Sequence, residues 1–180
     1  MQEFHTILSP LGALTATASD GKLLGLQFGT RRMFYPLVRK AYKPNDCTRN
    51  HEVFKQTARW LEIYFSGKCP SFMPELELIG SDFQRSVWQA MLRIPYGQTR
   101  AYSDIERYLE KKYQKEAHAL AVGSAAAKNP LAIIIPCHRV ILADGSIGEY
   151  NAGVFRKQRL LAIEGVPINS SNEQTSVCEA

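Results

Sequence analysis

Four consecutive residues, Pro136-Cys137-His138-Arg139, set a thiol directly beside an imidazole. The thiolate is the nucleophilic form of cysteine, and an unperturbed thiol, with a pKa of about 8.5, is mostly protonated near neutrality. A neighbouring histidine can take that proton, directly or through a water, if its ring is held and its positive charge offset. The apolar run Leu131-Ala132-Ile133-Ile134-Ile135 just before it reads as a short buried strand. Proline cannot continue a ladder, so Pro136 ends that strand and leaves Cys137 at the exit of a rigid element. The competing reading is a packed core cysteine, since free cysteine is among the most buried residue types.

Cys–His pairs also serve hydrolases, but no oxyanion-hole motif or substrate-handling loop accompanies this one. The four cysteines, Cys47, Cys69, Cys137 and Cys178, form no CxxC pair and are expected as reduced thiols. Cys47, His51 and Cys69 make only a weak zinc pattern, and no metal is assigned. At 180 residues and 45% hydrophobic content, the chain can build one large domain or two small ones around a real core. A formal charge of +5 and a pI near 9.1 fit a polyanionic partner without demanding one. No apolar stretch approaches the ~20 residues of a membrane span and no secretory h-region opens the chain, so a soluble, intracellular protein is expected.

The elements that must hold the thiol differ between the two halves. Phe4 to Leu8, Ala13 to Ala18 and Leu23 to Phe28 read as strands, with turns at Ser9-Pro10-Leu11-Gly12 and Asp20-Gly21. Residues 31–50 read as a surface connection. The spacing of Val53, Phe54, Ala58, Leu61 and Phe65 predicts a helix over 51–65, stopped by Gly67. No chemistry is legible in this half. Ser81-Asp82-Phe83-Gln84 is a capping-box pattern opening a helix that carries Val87, Trp88, Ala90, Met91 and Leu92. Further helices are expected from Tyr102 to Leu109 and from Ala117 to Lys128, with the charged segment 110–116 as connection or frayed extension. Two short helices joined by a turn, the second slim with alanines, glycine and serine, suggest a helix-turn-helix. A slim helix can pack tightly on its neighbours or enter a narrow groove, and the two are compatible. Val140 to Leu142 reads as a short strand, 156–164 as a last helix, and the polar tail from about Asn169 as disordered.

Taken in order, Phe83-Gln84, Val87-Trp88, Ile94-Pro95, Gly97, Thr99, Ala121-Val122-Gly123, Asn129-Pro130, Ile135-Pro136-Cys137-His138-Arg139-Val140 and Gly148 closely resemble the O6-alkylguanine-DNA alkyltransferases. The resemblance covers roughly residues 81–165. It implies an α+β protein: a small N-terminal α/β domain with a ribonuclease H-like sheet over 1–79, a mainly helical DNA-binding and alkyl-acceptor domain over 80–168, and a tail over 169–180.

The resemblance further implies a DNA-repair protein that flips O6-alkylated guanine from the duplex and moves the alkyl group irreversibly onto Cys137, once, with no cofactor. Extrusion is needed because the O6 carbon is poorly accessible inside the stack. By the same resemblance His138 is the base and Glu164 the carboxylate completing a Cys–water–His–Glu relay. Asn129 supports the site, and Tyr102 protonates or hydrogen-bonds the leaving base. The Val140 carbonyl, Tyr150 and Asn151 wall the guanine pocket, with Lys157 beside that loop. The helix over 117–128 enters the minor groove of double-stranded DNA through Leu120, Ala121, Gly123, Ser124, Ala126 and Lys128, with Arg139 as a further DNA contact. A monomer is implied, without membrane association, cytoplasmic if bacterial and nuclear if eukaryotic. The alternative is a non-catalytic alkylated-DNA binder or damage-signalling regulator on the same fold.

Three residues or segments depart from the pattern. Leu120 stands where the family usually has an arginine that enters the duplex, so an apolar wedge replaces a charged one. His118 is two positions away and is expected to point elsewhere. The connection from Tyr102 to Leu120 is longer, adding Lys111, Lys112 and Lys115, and Asn151-Ala152 replaces smaller residues, which would narrow the pocket.

Overall fold

The computed structural model describes residues 2–29, 51–113 and 119–167. The expected connection over 31–50 with Cys47, the segment 114–118 with Lys115, Ala117 and His118, and the tail from 168 with Cys178 lie outside the described residues. In the N-terminal unit, β1 (Glu3–Ile7), β2 (Leu14–Ser19) and β3 (Lys22–Phe28) form an antiparallel sheet in that order. The alternation of Leu14, Ala16 and Ala18 with Leu23, Leu26 and Phe28 turns one face inward, where α1 (His51–Phe65) covers it with Val53, Phe54, Trp60 and Leu61. Gly67, at a φ of +80°, ends that helix in the left-handed region, as expected.

The C-terminal unit packs α2 (Asp82–Leu92), α3 (Tyr102–Tyr113), α4 (Ala119–Ala127) and α5 (Val154–Ile163). The capping box is realised: the Ser81 hydroxyl accepts from the Gln84 amide at 3.2 Å, and the Gln84 side chain accepts from the Ser81 amide at 2.9 Å. Helix α3 runs four residues past the expected Leu109. Its inner-face Ile105 and Leu109 are buried, and Lys111 and Lys112 sit favourably in its last turn. Helix α4 is slim for packing: Val122, Ala125 and Ala126 are buried, and the Trp88 indole donates to the Ala125 carbonyl at 2.9 Å.

Two short strands, β4 (Arg100–Ala101) and β5 (Val140–Ile141), pair in parallel, Arg100 against Val140 and Ala101 against Ile141. This ladder brings the first residue of α3, Tyr102, level with the segment that follows Cys137. The expected strand over Leu131–Ile135 is not one. Leu131 makes a single parallel bridge to Leu26 of β3, through Leu26 N to Pro130 O at 2.8 Å and Ala132 N to Leu26 O at 2.7 Å. The chain then folds into a buried turn, with Ile135 N donating to Leu131 O and Ile133 at a φ of +70°. Beyond that single bridge the run bonds its Ile134 and Ile135 amides locally, and burial explains its composition.

Replacing Ser81 by alanine removes one half of the capping box, so we expect a loss of about 1 kcal/mol, read as a lower denaturant midpoint with an unchanged slope.

Candidate active site

Cys137 opens a single 3-10 turn, Cys137–Arg139, between the buried Leu131–Ile135 turn and β5. Asn129 ties the two turns together. Its Oδ1 accepts from Leu131 N at 2.9 Å, and its Nδ2 donates to Ile135 O at 2.8 Å and to Cys137 Sγ at 3.0 Å. The amide thus orients the sulfur and favours its ionised form. Burial pushes the Cys137 thiol up, while the Asn129 amide and the Lys157 ammonium pull it down; the net direction is up. The resting sulfur is a protonated thiol.

His138 is fully buried, and its Nε2 lies 2.6 Å from Glu164 Oε1. Burial alone would raise the Glu164 pKa, but hydrogen bonds from His138 and Arg139 outweigh it and hold the carboxyl at about 2. A carboxylate this acidic is ionised, so Nε2 carries the proton and Nδ1 keeps its lone pair. Nδ1 is itself buried and makes no hydrogen bond to the described residues. Burial, with the nearby Arg139 guanidinium, lowers the His138 pKa against the opposing pull of Glu164, so the ring rests neutral. The arrangement is a neutral base with one open acceptor beside a neutral thiol.

Glu164 caps the end of α5 rather than lying within it, with the helix spanning 154–163 instead of the expected 156–164. Besides His138, it accepts from Arg139 Nε at 2.8 Å, Arg139 Nη2 at 3.0 Å, Gly97 N at 3.1 Å and the Tyr64 hydroxyl at 2.7 Å. Tyr64 belongs to α1, in the half where the sequence showed no chemistry. Its place on the buried face, one turn after Trp60 and Leu61, is indistinguishable in the sequence from core packing.

Tyr102 is half-buried within electrostatic reach of the thiol; burial first, then Cys137 and Glu149, raises its pKa and keeps the phenol protonated. Tyr150 packs edge-on to the His138 ring, with centroids 6.5 Å apart. Its buried hydroxyl lies beside Cys137 without a well-aligned hydrogen bond. Asn151 is exposed on the same loop. Lys157 is fully buried on α5 and donates to Val140 O at 2.6 Å and Glu149 O at 3.3 Å. Burial lowers its pKa to about 8 against the pull of Cys137, which leaves a mostly protonated cation near the sulfur. A hollow of about 160 Å³ between α2 and α3, lined by Arg93, Ile94, Ile105 and Tyr108, includes none of these residues.

The surface expected to meet DNA divides. Leu120 is 90% exposed, and Ala121, Ser124 and Lys128 are exposed beside it, while Gly123 backs onto the Tyr102 ring. Two of the expected contact residues lie inward. Ala126 points into the core with Val122 and Ala125, because helical periodicity puts it on the inner face. Arg139 is 8% exposed and spends its guanidinium on Glu164 and on Ile94 O at 2.7 Å, stacked over the Tyr96 ring. It serves as the internal counter-ion of Glu164.

Residues 82–166 match the DNA-binding domain of 6-O-methylguanine DNA methyltransferase, and residues 4–78 match its ribonuclease-like domain. A methylated-DNA–protein-cysteine methyltransferase of Mycolicibacterium paratuberculosis is 40% identical over 91% of this chain and 93% of its own length. One of Methanosarcina barkeri is 40% identical over 89% of this chain and 96% of its own. The crystal structure of Mycobacterium tuberculosis OGT in complex with DNA superposes with a TM-score of 0.70 at 37% identity, covering 89% of this chain and 91% of that one.

Acid should destabilise this site selectively. His138 and Glu164 both bind protons less readily folded than unfolded, so the unfolded chain is the better proton acceptor. Stability should decline as pH falls below the ordinary histidine value of 6.5, and again as it falls from 4.5 toward about 2. Denaturant midpoints measured down this pH range check it, and a midpoint level from 6.5 to 4.5 would contradict the His138 part.

Proposed function

The chain belongs to the O6-methylguanine DNA methyltransferase family, and we propose that Cys137 is the residue on which it takes up the alkyl group of O6-alkylguanine in DNA. The protein is a DNA-repair methyltransferase that acts stoichiometrically. The observation that carries the assignment of Cys137 is its sulfur held at 3.0 Å by Asn129, next to a histidine whose far nitrogen is locked on a buried carboxylate at 2.6 Å.

In the proposed reaction the sulfur attacks the alkyl carbon. The S–C bond forms as the C–O6 bond breaks, and the electron pair leaves on guanine. The thiol proton passes to His138 Nδ1, directly or through a water, and Glu164 offsets the charge that develops on the ring. The Tyr102 phenol donates to the departing base. In net terms guanine gains a proton and the sulfur gains the alkyl group. A thioether carries no acidic proton and is a poor leaving group, so the sulfur is spent after one turnover. Lys157 holds the Val140 carbonyl through one lone pair. The other remains for the extruded base, which Tyr150 and Asn151 would flank.

Double-stranded DNA is the proposed partner, engaged through the minor groove by the exposed face of α4 with a single copy of the chain. Small residues there permit close approach, Lys128 supplies phosphate contact, and Leu120 acts as an apolar wedge in place of the flipped nucleotide. Such a substrate puts the protein where the genome is, in the cytoplasm if bacterial and the nucleus if eukaryotic. Among the described residues no helix is long and apolar enough to cross a membrane. The non-catalytic alternative finds no support, since methyltransferase relatives extend over nine-tenths of the chain and the thiol is present.

Incubation with DNA carrying O6-methylguanine should add one methyl mass to the intact protein, mapped to Cys137 and absent in Cys137→Ala. Tight lesion binding without a mass gain would refute the transfer. Leu120→Arg should bind duplex DNA several-fold more tightly and steepen the logarithmic salt dependence by about one. If duplex affinity and transfer rate were both unchanged, the wedge reading would fail.

A further inference from the structure

Tyr64 stands near the end of α1 with no exposed surface. Its ring stacks on Trp60 with centroids 5.5 Å apart and meets Tyr96 and His138 edge-on at 6.0 and 6.3 Å. A phenylalanine would satisfy that packing. A buried hydroxyl costs free energy unless it is hydrogen-bonded, and this one is: it donates to Glu164 Oε1 at 2.7 Å, with its oxygen 3.3 Å from His138 Nε2.

Three donors therefore converge on Glu164 Oε1, namely Tyr64 Oη, His138 Nε2 and Arg139 Nη2. A carboxylate oxygen has two lone pairs, so Tyr64 competes with His138 for charge on that atom while fixing where the atom sits. We propose that Tyr64 is a positioning residue for alkyl transfer: its hydroxyl lets the N-terminal unit hold Glu164 against His138 and moderate how strongly that carboxylate draws a proton onto the ring. This rests on the reading of His138 as the base.

The groups around His138 make the effect separable. Glu164 at the end of α5 is the facing anion. Arg139 from the same turn and Lys157 from α5 are the facing cations. Tyr64 from α1 and Tyr150 from the preceding loop flank the ring, and Cys137 is its chain neighbour. Replacing Tyr64 by phenylalanine alters none of these charges and keeps the stacked ring. What changes is one hydrogen bond to Oε1. Without it, more negative charge faces Nε2 and protonated His138 is favoured.

The test uses the full-length protein. His138 ring resonances are followed by NMR against pH without DNA, and single-turnover methyl transfer from an O6-methylguanine duplex is measured over the same range. In Tyr64→Phe the His138 midpoint should rise by about one pH unit, and the acid limb of the transfer rate should move up with it. Incorporating 3-fluorotyrosine at position 64, a stronger donor, should move both the other way. If both midpoints stay put while only the melting temperature falls, Tyr64 is a packing residue and the proposal is overturned. If the unmodified protein transfers no methyl group, the reading of Cys137 fails instead, and the DNA-free titration still decides the role of Tyr64.

Discussion

A carboxylate removed from water must recover in the protein the hydrogen bonds it loses, and Glu164 is where this molecule meets that demand. Even after relaxation, burying an ion costs several kcal/mol unless it is paired and fully bonded. Arg139 supplies the neutralising charge through two nitrogens, and Gly97, Tyr64 and His138 complete the shell. The donors arrive from three places: His138 and Arg139 from the Cys137–Arg139 turn, Gly97 from the turn after α2, and Tyr64 from α1. Gly97 can bring its amide in because it adopts a φ of +74°, and a Cβ there would press on the Glu164 carbonyl at 3.1 Å. The end of α5, the turn after α2, the Cys137–Arg139 turn and α1 are thereby fixed to one point.

That arrangement sets the electrical state in which the thiol waits. Arg139 has already taken up the charge of Glu164, so His138 gains less from becoming charged than it would beside a free carboxylate. Cys137 and His138 therefore both rest neutral, despite sitting next to a carboxylate and a buried lysine. An exposed thiolate would react with any passing oxidant or electrophile. In the proposed reaction this resting thiol ionises only as His138 takes its proton, which suits a residue used only once.

Much of this was legible in the sequence, and the failures share a cause. Strands, caps and helices whose signals are local were read nearly to their ends, as at Ser81 and Gly67. The motif order supplies Cys137, His138 and Asn129 and the resemblance adds Glu164, and the structure brings all four together. Leu131–Ile135 misled because an apolar run reports burial without reporting conformation. The resemblance puts Arg139 and Ala126 among the DNA contacts, whereas a bidentate bond to Glu164 and the helical phase turn them inward. Tyr64 could not be found at all: its partner lies 100 residues along the chain, and nothing about a tyrosine in an apolar helix stripe announces that its hydroxyl is needed.

The bridge between Leu26 and Leu131 ties the N-terminal sheet to the segment that carries the sulfur. The outer edge of β3 is paired with the backbone leading to Cys137, at Pro130 O and Ala132 N, and Gln27 Nε2 adds a bond to the Asn129 carbonyl at 2.9 Å. Shifting β3 by one residue would exchange Leu26 with a neighbour facing the other side of the sheet. The turn would then lose its seat, and with it the asparagine that aims the sulfur. The seating of β3 and the aim of the thiol are therefore one structural condition: Leu26 in register seats the turn, and the turn carries the asparagine that holds the sulfur.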